Sequence, residues 1–202
     1  MTATTRVAAV VLAAGLSTRM GQPKMLLPWG KTTVIGRVVS VLNAAGVDPV
    51  VVVTGQLRTE IQSVLNSLPS RMVYNPAYAS GDMLDSLQVG LDALPDDLSA
   101  TLVALGDQPQ LEEDTVRAVI AAFDGKPQRL VVPSYHNRRG HPWLAGRALW
   151  ADLRALAAPL TLRDFLNRHQ ADIRYLEVNT PSVLKDLDTP DDYAHEHPST
   201  GD

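Results

Sequence analysis

Two glycines and two cations lie close together at the end of an apolar run, in the segment Leu12-Ala13-Ala14-Gly15-Leu16-Ser17-Thr18-Arg19-Met20-Gly21-Gln22-Pro23-Lys24. Gly15 and Gly21 let the backbone turn tightly and bring its N–H groups up to an anion. Arg19 and Lys24 supply the fixed positive charge that a triphosphate needs. The spacing matches neither G-x-x-x-x-G-K-[ST] nor G-x-G-x-x-G, so a Walker loop and a dinucleotide fingerprint both fit poorly. Glycine and charge alone suit a surface turn with two solvated cations just as well.

Carboxylates form the second constellation. Gly106-Asp107-Gln108-Pro109 ends an apolar run with an acid, a place where Asp commonly caps a helix or makes a turn. In Asp186-Leu187-Asp188-Thr189-Pro190-Asp191-Asp192 the acids at 186 and 188 alternate on an extended segment, so both face one way. Thr189-Pro190-Asp191-Asp192-Tyr193 reads as a helix start with Pro early in it, and Asp191 and Asp192 suit its cap. Arg138-Arg139-Gly140-His141-Pro142 is a basic, glycine-containing loop, suited to a second phosphorylated substrate or simply to solvent. His141 reads equally as a substrate contact and as a packed ring. Trp29, Trp143 and Phe165 read as core or rim packing.

These residues must be positioned by an alternation of β-branched runs and amphipathic stretches. Val7 to Leu12, Val50 to Val53, Arg71 to Tyr74, Thr101 to Leu105 and Leu130 to Pro133 read as strands. Between them, Thr33 to Ala45 (stopped by Gly46), Glu60 to Leu68, Leu84 to Leu94 and Glu112 to Phe123 read as helices. Tyr135 to Pro142 reads as a polar loop. Arg147 to Leu156 and Leu160 to Arg168 follow as short helices and Ile173 to Val178 as a late strand, with fraying from about His195. Strands separated by helices predict an α/β fold with a mostly parallel sheet covered on both faces. Ligands in such folds bind outside the carboxyl ends of the strands, here Ala13-Ala14-Gly15, Thr54-Gly55 and Gly106-Asp107.

The 202 residues fit one domain, and no internal repeat or low-complexity tract is evident. A formal net charge of −4 argues against a dedicated nucleic-acid binder. With no cysteine, disulfides, thiolate metal sites and cysteine nucleophiles are all excluded. The longest apolar run, Val7 to Ala14, is too short to span a bilayer, and the N-terminus lacks the features of a signal peptide. A cytoplasmic protein without nucleic-acid or membrane partners is the expectation.

The segment from Leu12 to Lys24, continued by Leu26-Leu27-Pro28, resembles the L-A-A-G-x-S-x-R-M-G-x-x-K signature of the MobA-like nucleotidyltransferases. Within that family the likeness is to the molybdenum cofactor cytidylyltransferases, whose R-G-H-P segment resembles Arg139 to Pro142. The resemblance implies a Rossmann-like, GT-A-like three-layer nucleotidyltransferase fold over residues 1–196. The nucleotide-binding part would span about 6–133, the acceptor-binding part about 134–196, and 197–202 would be a disordered tail. It implies that Asp107, in a G-D-x-P motif, binds Mg²⁺ with Asp188, in D-x-D-T-P-x-D, and with Asp186 as a second choice. Magnesium takes one or two carboxylates with phosphate oxygens and waters. Lys24, Arg19 and Asp107 would be the catalytic set. The nucleotide would contact Leu12, Ala13, Ala14, Gly15, Arg19, Lys24, Thr54, Asn75, Gly81 and Ser86, and the acceptor Arg139, Gly140, His141 and Pro142.

The reaction so implied is attack by an acceptor phosphate on the α-phosphorus of CTP, joining CMP to molybdopterin, or molybdenum cofactor, and releasing pyrophosphate. A molybdenum hydroxylase would receive the product. No protein nucleophile or strong general base is required, because positioning and charge neutralisation suffice. Other expectations are the same chemistry with GTP or on a sugar or lactyl phosphate, a non-catalytic cofactor carrier, and a nucleotide-sensing domain. The sequence departs from the family in Gly81-Asp82-Met83-Leu84-Asp85-Ser86, where small residues are usual and the stretch reads one residue long. Asp82 and Asp85 are unexpected beside a nucleotide.

Overall fold

Every residue of the strand Val7–Ala13 (β1) is buried, and its alternation divides the protein's interior in two. Val7, Ala9, Val11 and Ala13 belong to one core cluster, and Ala8, Val10 and Leu12 to the other. Both faces of the strand are therefore covered, as its unbroken apolar run requires. The computed structural model describes residues 5–198. After β1 come the short hairpin strands Pro28–Trp29 (β2) and Thr32–Thr33 (β3), then the helix Val34–Ala44 (α1). Thr33 starts α1 by accepting a hydrogen bond from the Gly36 amide, and Gly46 follows its end at φ +83°.

The series continues with Val50–Thr54 (β4), Arg58–Leu65 (α2), Arg71–Tyr74 (β5), Met83–Asp92 (α3), Ala100–Leu105 (β6), Glu113–Ala121 (α4) and Leu130–Tyr135 (β7). Then follow Arg138–Arg139 (β8), Trp143–Gly146 (β9), Trp150–Ala155 (α5), Leu162–Arg168 (α6), Ile173–Glu177 (β10) and Pro190–Glu196 (α7). The main sheet runs β10-β7-β9-β6-β1-β4-β5, with β8 beside β7. β1 pairs in parallel with β4 and β6, β4 with β5, and β7 with β10, whereas β9 runs antiparallel between β6 and β7. One face packs on α1, α2 and α4 through Ile35, Val38, Leu42, Ile61, Val116 and Val119. The other packs on α3, α5 and α6 through Leu87, Leu91, Trp143, Trp150, Leu153 and Phe165. The result is the mostly parallel, three-layer α/β arrangement of the Rossmann-like nucleotidyltransferases. Each large buried side chain contributes roughly 2–3 kcal/mol relative to exposure.

The structure departs from the sequence reading in particular places. The strand β9 is absent from that reading, because four residues between Pro142 and an amphipathic stretch carry no length signal. Tyr135 to Pro142 is not a plain loop: β7 runs through Tyr135, turns at His136 and Asn137 with positive φ, and returns as β8. The helix expected from Glu60 begins at Arg58 and stops at Leu65, and Arg147–Leu149 is a 3₁₀ turn ahead of α5. The expected fraying from His195 is replaced by helix through Glu196, which Lys185 pairs at 2.7 Å, and His197 packs against Trp29 and Tyr193. Residues 199–202 of the expected tail lie outside the described residues.

No helix among the described residues is long and apolar enough to cross a membrane.

The β7–β8 hairpin is locked onto the segment that leads to the C-terminal acids. The Gly140 amide donates to Pro133 O at 2.8 Å and the His141 amide to Val183 O at 2.9 Å. A Cβ at Gly140 would stand 2.5 Å from Val183 O. Gly140→Ala is therefore expected to force the hairpin off this segment, costing about 2 kcal/mol and lowering Tm by roughly 4–8 °C in differential scanning calorimetry.

Candidate active site

The site is assembled where β1 and β6 end. Beyond Ala13 the chain makes two 3₁₀ turns, Thr18–Met20 and Lys24–Leu26. Ser17 enters the first at φ +54°, an uncommon left-handed conformation for a residue with a side chain, and Gly21 leaves it at φ +66°. Met20 turns inward to pack with Trp29, Val34 and Leu187, while the Arg19 side chain stays 76% exposed. Lys24 is drawn inside, its side chain only 10% exposed.

Asp107 follows Gly106, where β6 passes close under the β1 loop. The Gly106 amide donates to Leu12 O at 3.0 Å, and a Cβ there would crowd that same oxygen, Ile35 and Met25. From the other end of the chain, the Leu187 amide donates to Asp107 O at 3.0 Å. Leu187 is wholly buried beneath the loop, so its neighbours Asp186 and Asp188 face the cavity. Thr189 caps α7 in a capping box with Asp192, and Tyr193 donates to Pro28 O at 2.7 Å. The acids at 191 and 192 thus belong to the start of a helix, and those at 186 and 188 to the site.

Three chain segments meet at one ammonium. Lys24 Nζ lies 2.5 Å from Asp107 Oδ2 and 3.1 Å from Asp188 Oδ1, and Arg19 Nη1 lies 2.7 Å from Asp188 Oδ2. Burial works to lower the Lys24 pKa, but the charges and hydrogen bonds of Asp107 and Asp188 outweigh it and hold the amine above its ordinary value. The exposed Arg19–Asp188 pair is worth roughly 0–1 kcal/mol and is easily exchanged for another anion. Among the described residues Asp186 pairs with no cation; Gln108 Nε2 donates to its Oδ1 at 2.6 Å. Although Asp186 keeps open surface, desolvation by the surrounding protein raises its carboxyl above the usual range, and the Asp107 charge adds to this.

These residues line a cavity of about 760 Å³, which adjoins a smaller one of about 330 Å³ behind the loop at Gln56 and Leu57. Of the residues expected to hold nucleotide, Leu12, Ala14, Gly15, Arg19, Lys24, Gly81 and Ser86 line the larger cavity, and Ala13 the smaller. Thr54 and Asn75 line neither. Thr54 is fully buried and donates to Val73 O at 3.3 Å. Asn75 donates to Ser86 Oγ at 3.1 Å and accepts from the Ala77 amide at 2.9 Å, so it shapes the wall from behind.

Of the four residues expected to meet an acceptor, His141 alone lines the cavity. Arg139 points away to Tyr175 and Asn167, Gly140 lies against Val183, and Pro142 is buried. Sequence reasoning passed over Gln108, which was visible as the neighbour of Asp107. It also passed over Leu16, Tyr78 and Met83, which carry no chemical signal of their own and join the cavity wall only in three dimensions.

The donor set suits a hard divalent ion, which prefers carboxylate and phosphate oxygens. Lys24 occupies the cation position between Asp107 and Asp188, and Asp186 lines the same cavity. Among the described residues no three His, Asp or Glu side chains close around a single point. An ion here would complete its shell with phosphate oxygens and water.

A cation-bearing loop after the first strand, facing one carboxylate after a neighbouring strand and another from the C-terminal segment, is the arrangement of a nucleotidyltransferase. The chain belongs to the MobA-like NTP transferase family, whose domain matches residues 9–173. It is 29% identical to the molybdenum cofactor cytidylyltransferase of Escherichia coli K12, covering 91% of this chain and 92% of that one. It is also 29% identical to nicotine blue oxidoreductase of Paenarthrobacter nicotinovorans, over 91% of this chain and 92% of that one. The crystal structure of Rv0371c from Mycobacterium tuberculosis H37Rv superposes with a TM-score of 0.82 at 30% identity, covering 96% of this chain and 98% of that chain. The same mycobacterial protein in complex with manganese matches at 27% identity with a TM-score of 0.75, over 96% of this chain and 98% of that one.

His141 makes the site sensitive to acid. Burial pushes its imidazole down from 6.5 to about 4, so the folded protein keeps it neutral while the unfolded chain protonates it below about pH 6.5. Its contribution is intact above pH 6.5 and is lost as pH falls toward 4. His141→Asn is expected to flatten the fall in Tm between pH 6.5 and 4.5, as measured by thermal melts across that range.

Proposed function

We propose that the protein transfers CMP from CTP to the terminal phosphate of molybdopterin, or molybdenum cofactor, with Mg²⁺ and release of pyrophosphate. The observation that carries this reading is the buried Lys24 ammonium shared by Asp107 and Asp188 in the wall of a cavity that the β1 loop also lines. Overall similarity does not choose the chemistry, because a relative named for an oxidoreductase matches as well as the cytidylyltransferase. The weight falls on these three residues, which a hydride transfer has no use for and a phosphate-centred reaction requires. The manganese complex of the mycobacterial relative supports a divalent ion.

Asp107 and Asp188, with Asp186 beside them, are the residues that would hold Mg²⁺, which would neutralise triphosphate oxygens and make the α-phosphorus more electrophilic. On binding, the triphosphate takes the place of carboxylates as the partner of Lys24 and Arg19. Lys24, deep in the cavity, holds its charge against the phosphates as the α–β phosphoanhydride bond breaks and negative charge moves to pyrophosphate. Arg19, more exposed, steadies the departing end. The acceptor is a phosphate monoester, largely ionised near neutral pH, so the new P–O bond forms without a strong base. Neutral His141, which lines the cavity, would donate or accept a hydrogen bond to the acceptor. A molybdenum hydroxylase as recipient and a cytoplasmic setting belong to the same reading.

The test is pyrophosphate release, with mass spectrometry of the product, after incubation with CTP, Mg²⁺ and molybdenum cofactor. Wild-type protein is expected to form the cytosine dinucleotide. Asp107→Ala is expected to lower turnover at least about 10³-fold while leaving circular dichroism unchanged. Turnover that survives this change would refute the metal assignment.

A further inference from the structure

Asp107, Asp186 and Asp188 all line the cavity, but they are held in different ways. Asp107 and Asp188 are tied by cations, at 2.5 and 3.1 Å from Lys24 Nζ, with Arg19 also on Asp188 at 2.7 Å. Asp186 is tied by a neutral group, Gln108 Nε2, at 2.6 Å. Gln108 is only 2% exposed, and among the described residues its side chain makes this one hydrogen bond. Burying an amide costs free energy that a leucine in its place would not. Packing therefore does not account for a glutamine at this position, whereas its bond to Asp186 does.

The bond is also part of a larger brace. Gln108 directly follows Asp107, and Leu187 lies between Asp186 and Asp188. The Leu187 amide donates to Asp107 O at 3.0 Å. The two segments that present the carboxylates are thus joined twice, once through backbone and once through the Gln108 side chain. A lysine or arginine at 108 would orient Asp186 equally well, but it would offset the carboxylate's charge. With no partner at all, an exposed carboxylate would turn freely in water. A neutral donor fixes the side chain and leaves its negative charge on the cavity wall.

We propose that Gln108 is a positioning residue for the divalent ion: it holds Asp186 in place, and the fixed charge of Asp186 strengthens the protein's grip on the ion. This rests on the divalent-ion reading of the site. Gln108 itself does not touch the ion and acts only through Asp186. Hydrogen-bonding partners of the carboxylates around a metal govern its affinity nearly as much as the ligands do, and losing one costs about 10–100-fold.

The experiment is titration of Mn²⁺ followed by water proton relaxation, which responds to ion held by the protein. It is run on protein alone and with CTP present, for wild type, Q108L, D186N and the double variant, each checked for folding by circular dichroism. Q108L and D186N are each expected to weaken Mn²⁺ binding at least about tenfold. Because Gln108 acts through Asp186, the double variant is expected to bind within about twofold of D186N alone. Loosened packing at 108 would instead add to the effect of D186N, and that result overturns the proposal. So does wild-type affinity in a folded Q108L or in D186N. Asp186 is exposed, so D186N carries the test by itself if Q108L does not fold. If the variants behave as expected but wild type releases no pyrophosphate with CTP and acceptor, the transfer reaction fails and the role of Gln108 stands. A wild type that takes up no Mn²⁺ in either condition overturns both.

Discussion

The structure turns on one ammonium group shared by two carboxylates. Lys24 comes from the loop after the first strand, Asp107 from the end of β6, and Asp188 from a segment 164 residues further along than Lys24. A buried cation without partners would be costly, and two adjacent carboxylates without a cation would repel one another. Each group is tolerable only because the others are present. The cluster therefore has two roles. It ties the N-terminal loop to the C-terminal segment, and it holds the two carboxylates together in the cavity wall.

The parts around the cluster serve to hold it in place. Gly106 lets β6 pass under the β1 loop, and Leu187 anchors the acids by burying its side chain with Met20, Trp29 and Val34. Gly140 lets the β7–β8 hairpin press against Val183, just ahead of those acids. The Arg-Gly-His-Pro segment thus has a role different from the one its charge suggests. Its glycine supports the segment that leads to Asp186 and Asp188, its histidine reaches the cavity, and its arginine turns outward to Tyr175. Gln108 plays a comparable part, holding Asp186 without cancelling its charge.

The acids at the start of α3 are explained by the same logic of partners. Asp82 and Asp85 looked misplaced in a phosphate site, because sequence order says nothing about where their oxygens point. In the folded chain they satisfy the free amides at the start of α3, a local need that any helix has.

Much of this protein was legible in its residues alone. The β1 run, the glycine-and-cation loop, the helix starts at Thr33 and Thr189 and the apolar faces of α1 and α3 arise from interactions within a few residues, and the sequence by itself determined them. Other features came only with tertiary structure. Four buried residues, Trp143–Gly146, became a strand because β6 and β7 offered edges to pair with. Thr54 and Asn75 were turned away from the cavity by hydrogen bonds to Val73 and Ser86, and Leu16, Tyr78 and Met83 were brought to it. Above all, packing beneath Leu187 decided that Lys24 would lie between Asp107 and Asp188. Periodicity and capping act over one or two turns of chain, whereas a shared proton-bearing group between distant segments exists only once the core has set their positions.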